Sequence, residues 1–158
     1  MKAILALIIG FHCFSMVASA QEWRSEVGPD RISISLNTEI VVQVSEDLKD
    51  FKLLKESEVE TALDVFGAMS TFERDEKYSE EIVFQFSEGD MLGSKITVLT
   101  TVHHLKRPIT FKAKIKYRGS KKFVETSIVE KVQHAFSIEQ WQDEIEQIIL
   151  FDFQYLKE

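Results

Sequence analysis

Beyond its first twenty residues the chain holds three histidines, His103, His104 and His134, and their spacing decides which metal chemistry is open to it. Adjacent residues on a strand point to opposite faces, so His103 and His104 do not chelate one ion together. His134 is then the third imidazole that could join either one, and a zinc-type site would also need a carboxylate that the spacing does not place. Glu88 and Asp90 flank Gly89 without the ligand count or loop length of an EF-hand. Nucleophilic chemistry finds no foothold: the chain has no G-x-S-x-G, H-E-x-x-H or P-loop, and its one cysteine, Cys13, lies in the N-terminal apolar run. Carboxylates are plentiful, and an acid–base pair needs two environments that separate its pKa values. The residues therefore predict no metal and no cofactor. A hydrolase or isomerase working through unplaced carboxylates is the weakest of three functional readings.

The cations form a sharper pattern. From Leu105 to Lys122 there are eight, Lys106, Arg107, Lys112, Lys114, Lys116, Arg118, Lys121 and Lys122, and no acid, in a chain of 19 basic and 26 acidic side chains with a net charge of −7. That overall sign argues against nucleic acid as a partner for the whole molecule. Locally the segment is a basic surface, suited to an anionic protein or an envelope surface. Three uses of the cations need no partner: the fold tolerates the modest repulsion, lysines keep an exposed strand from pairing with another chain, and they balance acids of the same molecule.

Lys2, the apolar run Ala3 to Val17 and the small residues Ala18-Ser19-Ala20 before Gln21 have the order of a secretory signal. The expectation is a signal peptide over residues 1–20, cleaved to leave one domain over 21–158, periplasmic or secreted in a bacterial setting. Gly10-Phe11-His12 before Cys13 is not the small-residue context of a lipid attachment site. No other stretch is long and uncharged enough to cross a hydrocarbon core of about 30 Å, so the mature chain is expected to lack a transmembrane span. It would also lack disulfides and depend on burial alone for stability.

The elements that must position these residues follow from periodicity. Even positions from Ile32 to Val44 are mostly apolar and odd ones mostly polar, which reads as one long strand; a hairpin turning at Asn37-Thr38 would split the apolar face. Leu48, Phe51 and Leu54 after Ser45, and Val59, Leu63 and Phe66 after the capping pattern Ser57-Glu58-Val59-Glu60, predict two helices. Ile82, Phe84 and Phe86 alternate, as do Ile96, Val98, Thr100 and Val102, giving two strands around a glycine-containing loop.

Ile109 to Ile128 reads as a hairpin turning at Gly119-Ser120 in a type II′ turn. Partner numbers then sum to 239, setting Ile115 opposite Val124, Ala113 opposite Thr126, Phe111 opposite Ile128 and Lys114 opposite Glu125, with the lysines on one face. Ser137-Ile138-Glu139-Gln140 and the stripe Ile138, Trp141, Ile145, Ile148, Ile149, Leu156 predict a C-terminal helix, although Ile149, Phe151, Phe153 and Tyr155 also alternate as in a strand.

The expected fold class is α+β: a curved antiparallel sheet of about five strands packed by helices on one face and closed by the C-terminal helix. That order of elements resembles helix-grip folds, and no motif carries the resemblance further. The leading functional reading is an exported, non-enzymatic binding module using the basic hairpin face, Lys112, Lys114, Lys116, Arg118, Lys121 and Lys122. The alternative is a carrier of a small apolar ligand or lipid in a sheet–helix cavity lined by Phe84, Phe86, Phe111, Ile115, Trp141, Ile145 and Ile148, with Asp152 as an acid inside the helical stripe.

Overall fold

The computed structural model describes residues 25–73 and 77–157, so the expected signal peptide lies outside the described residues. Strands and turns dominate it. In chain order the elements are β1 (Glu26–Gly28), β2 (Arg31–Ser35), β3 (Thr38–Val44), β4 (Phe51–Glu58), β5 (Leu63–Asp64), α1 (Val65–Thr71), β6 (Glu81–Met91), β7 (Ser94–His103), β8 (Ile109–Tyr117), β9 (Phe123–Thr126), β10 (Phe136–Trp141) and β11 (Ile145–Tyr155). A first sheet has the order β1-β2-β11-β8-β9 and a second the order β10-β7-β6-β3-β4, with β5 parallel to β6 at its side. All other pairings are antiparallel.

This corrects the α+β expectation: the described residues form two facing antiparallel sheets with one helix of seven residues, and the C-terminal segment is the strands β10 and β11. Two irregularities explain how β11 imitates a helix. The register shifts between Ile145 and Gln147 and again between Phe151 and Gln154. Each shift adds a residue to the outer face, so the buried positions run Ile145, Ile148, Leu150, Phe153. Bulges thus turn a period of two into spacings of three, two and three, close to the helical repeat. The second bulge is made by Asp152, whose φ is +56°.

The two earlier helix signals resolve in the same way. Ser45 caps a turn, its Oγ accepting from Asp50 N–H at 3.0 Å, and Leu48 is buried with φ +59° before β4 begins. Ser57 lies within β4; α1 starts later, with Asp64 accepting from Gly67 N–H at 3.1 Å.

The run Ile32 to Val44 is divided at Leu36-Asn37, where Asn37 has φ +61°, and its halves belong to different sheets. They are not hairpin partners. Ile32 and Ile34 face the common interior from the first sheet, and Ile40, Val42 and Val44 from the second, so alternation survives the crossing.

The strands β6 and β7 pair as expected, from Ile82–His103 to Met91–Ser94. The hairpin β8–β9 has the predicted register, with Ala113–Thr126, Lys114–Glu125, Ile115–Val124 and Lys116–Phe123 opposed. Its turn differs in type: Gly119, φ +76°, is the third residue of a turn closed by Ser120 N–H to Tyr117 O at 2.9 Å, the place where a type II turn needs positive φ.

Between the sheets lies one core cluster containing Ile32, Ile34, Ile40, Val42, Phe84, Phe86, Leu99, Phe111, Ile115, Ile148 and Leu150. Phe111 meets Phe84 edge to face and Phe153 at a tilt, at centroid distances of 5.8 and 5.0 Å. A smaller cluster of Val65, Ile96 and Val98 holds α1 to the second sheet. Gly89 leaves room for the Val98 and Ile96 side chains of that cluster, since a Cβ there would lie 3.0 Å from Val98 Cγ1. Among the described residues no helix is long and apolar enough to cross a membrane.

Candidate functional site

The outer face of the first sheet is set by parity. Because Ala113 and Ile115 are buried against Leu150 and Ile148, their neighbours Lys112, Lys114 and Lys116 must point outward. Three cross-strand rows result: Arg31–Phe151–Lys112, Ser33–Ile149–Lys114–Glu125, and Ser35–Gln147–Lys116–Phe123. The face therefore mixes cations with two phenylalanines and an isoleucine.

Most of the hairpin cations meet acids of the same chain. Lys112 Nζ lies 2.8 Å from Asp152 Oδ2, Lys116 Nζ 2.8 Å from Glu146 Oε1, and Arg118 3.0 Å from Glu144 and 3.6 Å from Glu88. Lys114 is held more loosely, 3.8 Å from Glu125 and 5.1 Å above the Phe151 ring. The hydrogen bond from Lys112, reinforced by one from Gln154, holds the Asp152 carboxyl below its ordinary range, and Lys116 does the same to Glu146. The Asp152 hydrogen bond in turn raises the Lys112 pKa. Both bulged residues of β11 thus carry the acids that neutralise β8. Lys121 and Lys122 project from the turn and have no ion pair among the described residues.

Two surface hollows flank the stripe formed by Gln147, Ile149 and Phe151. One, about 480 Å³, is bordered by Lys116, Arg118, Asn37 and Glu146 and is polar. The other, about 650 Å³, has Ile149, Phe151 and Phe153 as apolar lining, and Arg31, Lys49, Lys114, Asp30 and Asp152 also border it. Arg31 and Lys49 have no side-chain ion pair or hydrogen bond among the described residues. Asp30, Leu48 and Asp152, all lining this cleft, have φ of +61°, +59° and +56°, half of the six non-glycine residues with positive φ in the described chain. Backbone conformations of this kind persist only where the surroundings enforce them, and they concentrate at binding sites. One such constraint is visible: Asp30 N–H donates to Lys49 O at 2.9 Å.

The residues expected to line a sheet–helix cavity are placed otherwise. With no C-terminal helix, Phe84, Phe86, Phe111, Ile115, Ile145 and Ile148 are packed between the two sheets. Trp141 lies half-buried at the edge, its Nε1–H donating to Thr126 Oγ1 at 3.0 Å. Asp152 is on the outer face and borders the 650 Å³ cleft.

Sequence reasoning did not single out Arg31, Lys49, Ile149 or Phe151 as site residues. Arg31 was within reach, since it heads the polar odd-numbered face shared with Ser33 and Ser35. Lys49 carried no signal, because a turn between sheets brings it there. Comparison with protein-family models, curated proteins and solved structures finds no match to this chain.

Proposed function

We propose that the protein is an exported, non-catalytic binding module whose contact surface is the outer face of β2, β11, β8 and β9, and that it takes an amphipathic anion in the 650 Å³ cleft. The observation that carries this reading is the cleft itself: an apolar lining of Ile149, Phe151 and Phe153 together with Arg31 and Lys49, which make no ion pair within 4 Å among the described residues. Its volume is in the range of small-molecule sites, which pair apolar lining with a few placed polar groups. A broad anionic surface across the whole hairpin is less favoured, because Lys112, Lys116 and Arg118 already face acids of their own chain.

The test uses dodecanoate, dodecyl phosphate and uncharged dodecanol as probes in calorimetric titration. Both anions should bind about tenfold or more tightly than dodecanol, and the difference should shrink as salt rises, because exposed charges are screened over about 8 Å near physiological ionic strength. The variant R31Q/K49Q/K114Q should keep its fold and lose that preference. Equal affinity for the three probes, or an unchanged preference in the variant, refutes the reading. So does the absence of binding by all three.

A further inference from the structure

A second group of residues lies apart from that cleft, where the segment 127–135 crosses from the β9 edge of the first sheet to the β10 edge of the second. Lys131 fixes the crossing by exchanging backbone hydrogen bonds with Ile109 at 2.8 and 3.0 Å. His134 N–H then donates to His103 O at 2.9 Å, and its own φ is +56°. That conformation is uncommon for a side chain other than glycine, although histidine is among the residues enriched in it. On the facing side Ser79 N–H donates to His104 O at 3.1 Å. Held by these bonds, the Nδ1 atoms of His104 and His134 lie 3.0 Å apart, with ring centroids at 5.2 Å.

Two imidazole nitrogens this close share either one proton or one metal ion. Metal–nitrogen bonds of about 2.0–2.1 Å at angles between a right angle and the tetrahedral value put neighbouring donors about 2.8–3.4 Å apart. The 3.0 Å separation of the two Nδ1 atoms falls within that range. His103 is turned away from this pair, buried with its Nε2 3.1 Å from Lys131 O. What the spacing of the chain did not reveal is that His134, thirty residues away, meets His104. Among the described residues no cluster of three or more His, Cys, Asp or Glu is available, so these residues contribute the two imidazoles alone. A hollow of about 300 Å³ lined by Met69, Phe72, Phe136 and His134 adjoins the pair.

We propose that His104 and His134 form a two-imidazole site for a borderline transition-metal ion, copper(II) in preference to zinc(II). Imidazole suits both ions, and for a given nitrogen site affinity peaks at copper.

The test titrates the full chain with copper(II) and then zinc(II) in a non-coordinating buffer at neutral pH. One equivalent should bind, copper more tightly than zinc, with a copper spectrum of nitrogen ligation. Either His104→Asn or His134→Asn should weaken binding by about tenfold or more, and the double variant should be little worse than either single one. Since either substitution could perturb folding, nitrogen-15 spectra of the unmodified chain give a second readout. Zinc should shift the Nδ1 signals of His104 and His134 and leave those of His103 in place. No saturable binding, undiminished binding in both single variants, or zinc-induced shifts confined to other groups would overturn the proposal.

Discussion

Lys131 is fully buried, and its ammonium lies 2.5 Å from Glu139 Oε1 and 5.7 Å from the centre of the Phe111 ring. Burial pulls the lysine pKa below its ordinary value while the hydrogen bond it donates to Glu139 opposes that shift. Glu139 also accepts from Val129 N–H at 2.9 Å, so the pair closes the seam between the sheets. Removing one partner leaves a charge with little water around it. Lys131→Met alone should cost about 3–5 kcal/mol in denaturant unfolding, and Lys131→Met with Glu139→Leu should recover most of the loss. A double variant as unstable as the single one would show that the charge pair itself, rather than its completeness, is what matters.

His103 supplies the pH dependence at this scale: burial first, then the neighbouring positive groups, lowers its pKa, against a hydrogen bond to Lys131 O. The unfolded chain takes up that proton near pH 6.5 while the folded chain does not. Stability is therefore complete above about 6.5 and falls as the pH drops from there toward the folded pKa. His103→Gln should reduce this slope when denaturation midpoints are compared at neutral and mildly acidic pH.

At the scale of elements, β11 offers the clearest discrimination between a strand and the helix its spacing imitates. A helical stripe would bury Ile148 and Ile149 together, whereas the bulged strand buries Ile148 fully and turns Ile149 toward the cleft. Ile148→Ala should cost about 2–5 kcal/mol. Ile149→Ala should cost about 1 kcal/mol or less, since it leaves the core intact. It should instead weaken the dodecanoate complex. Comparable destabilisation by both substitutions would contradict the register.

Across the whole molecule, the first sheet joins the two ends of the described chain: β11 lies between β2 and β8, with Gln147 Nε2–H donating to Ser33 Oγ at 2.9 Å across more than a hundred residues. No local subset of strands can complete that sheet. A chain ending at residue 144 should show no cooperative unfolding by circular dichroism, because β2 and β8 would lose their shared neighbour. A cooperative transition in that truncated chain would mean that the second sheet and its covering helix fold alone. Dependence on distant pairings also places folding in the slow, millisecond-to-second range typical of all-β topologies.

The sequence by itself determined what depends on near neighbours. Alternation located β2, β3, β6, β7 and β8, and matching apolar partners across Gly119 fixed the β8–β9 register, including Lys114 opposite Glu125. These succeed because a short connection leaves few ways to pair two amphipathic strands, and a slip of one residue would expose the apolar face. Only the tertiary structure decided the break at Leu36-Asn37, since alternation reads the same whether the chain stays in one sheet or crosses to the facing one. It also decided the bulges at Glu146 and Asp152, which put acids beside Lys116 and Lys112 and gave β11 its helical spacing. The meeting of His104 with His134, and of Arg31 and Lys49 with Phe151, belongs to the same class. Those contacts depend on which strands become neighbours after long loops close, and that choice is settled by burying one common core rather than by any local pattern.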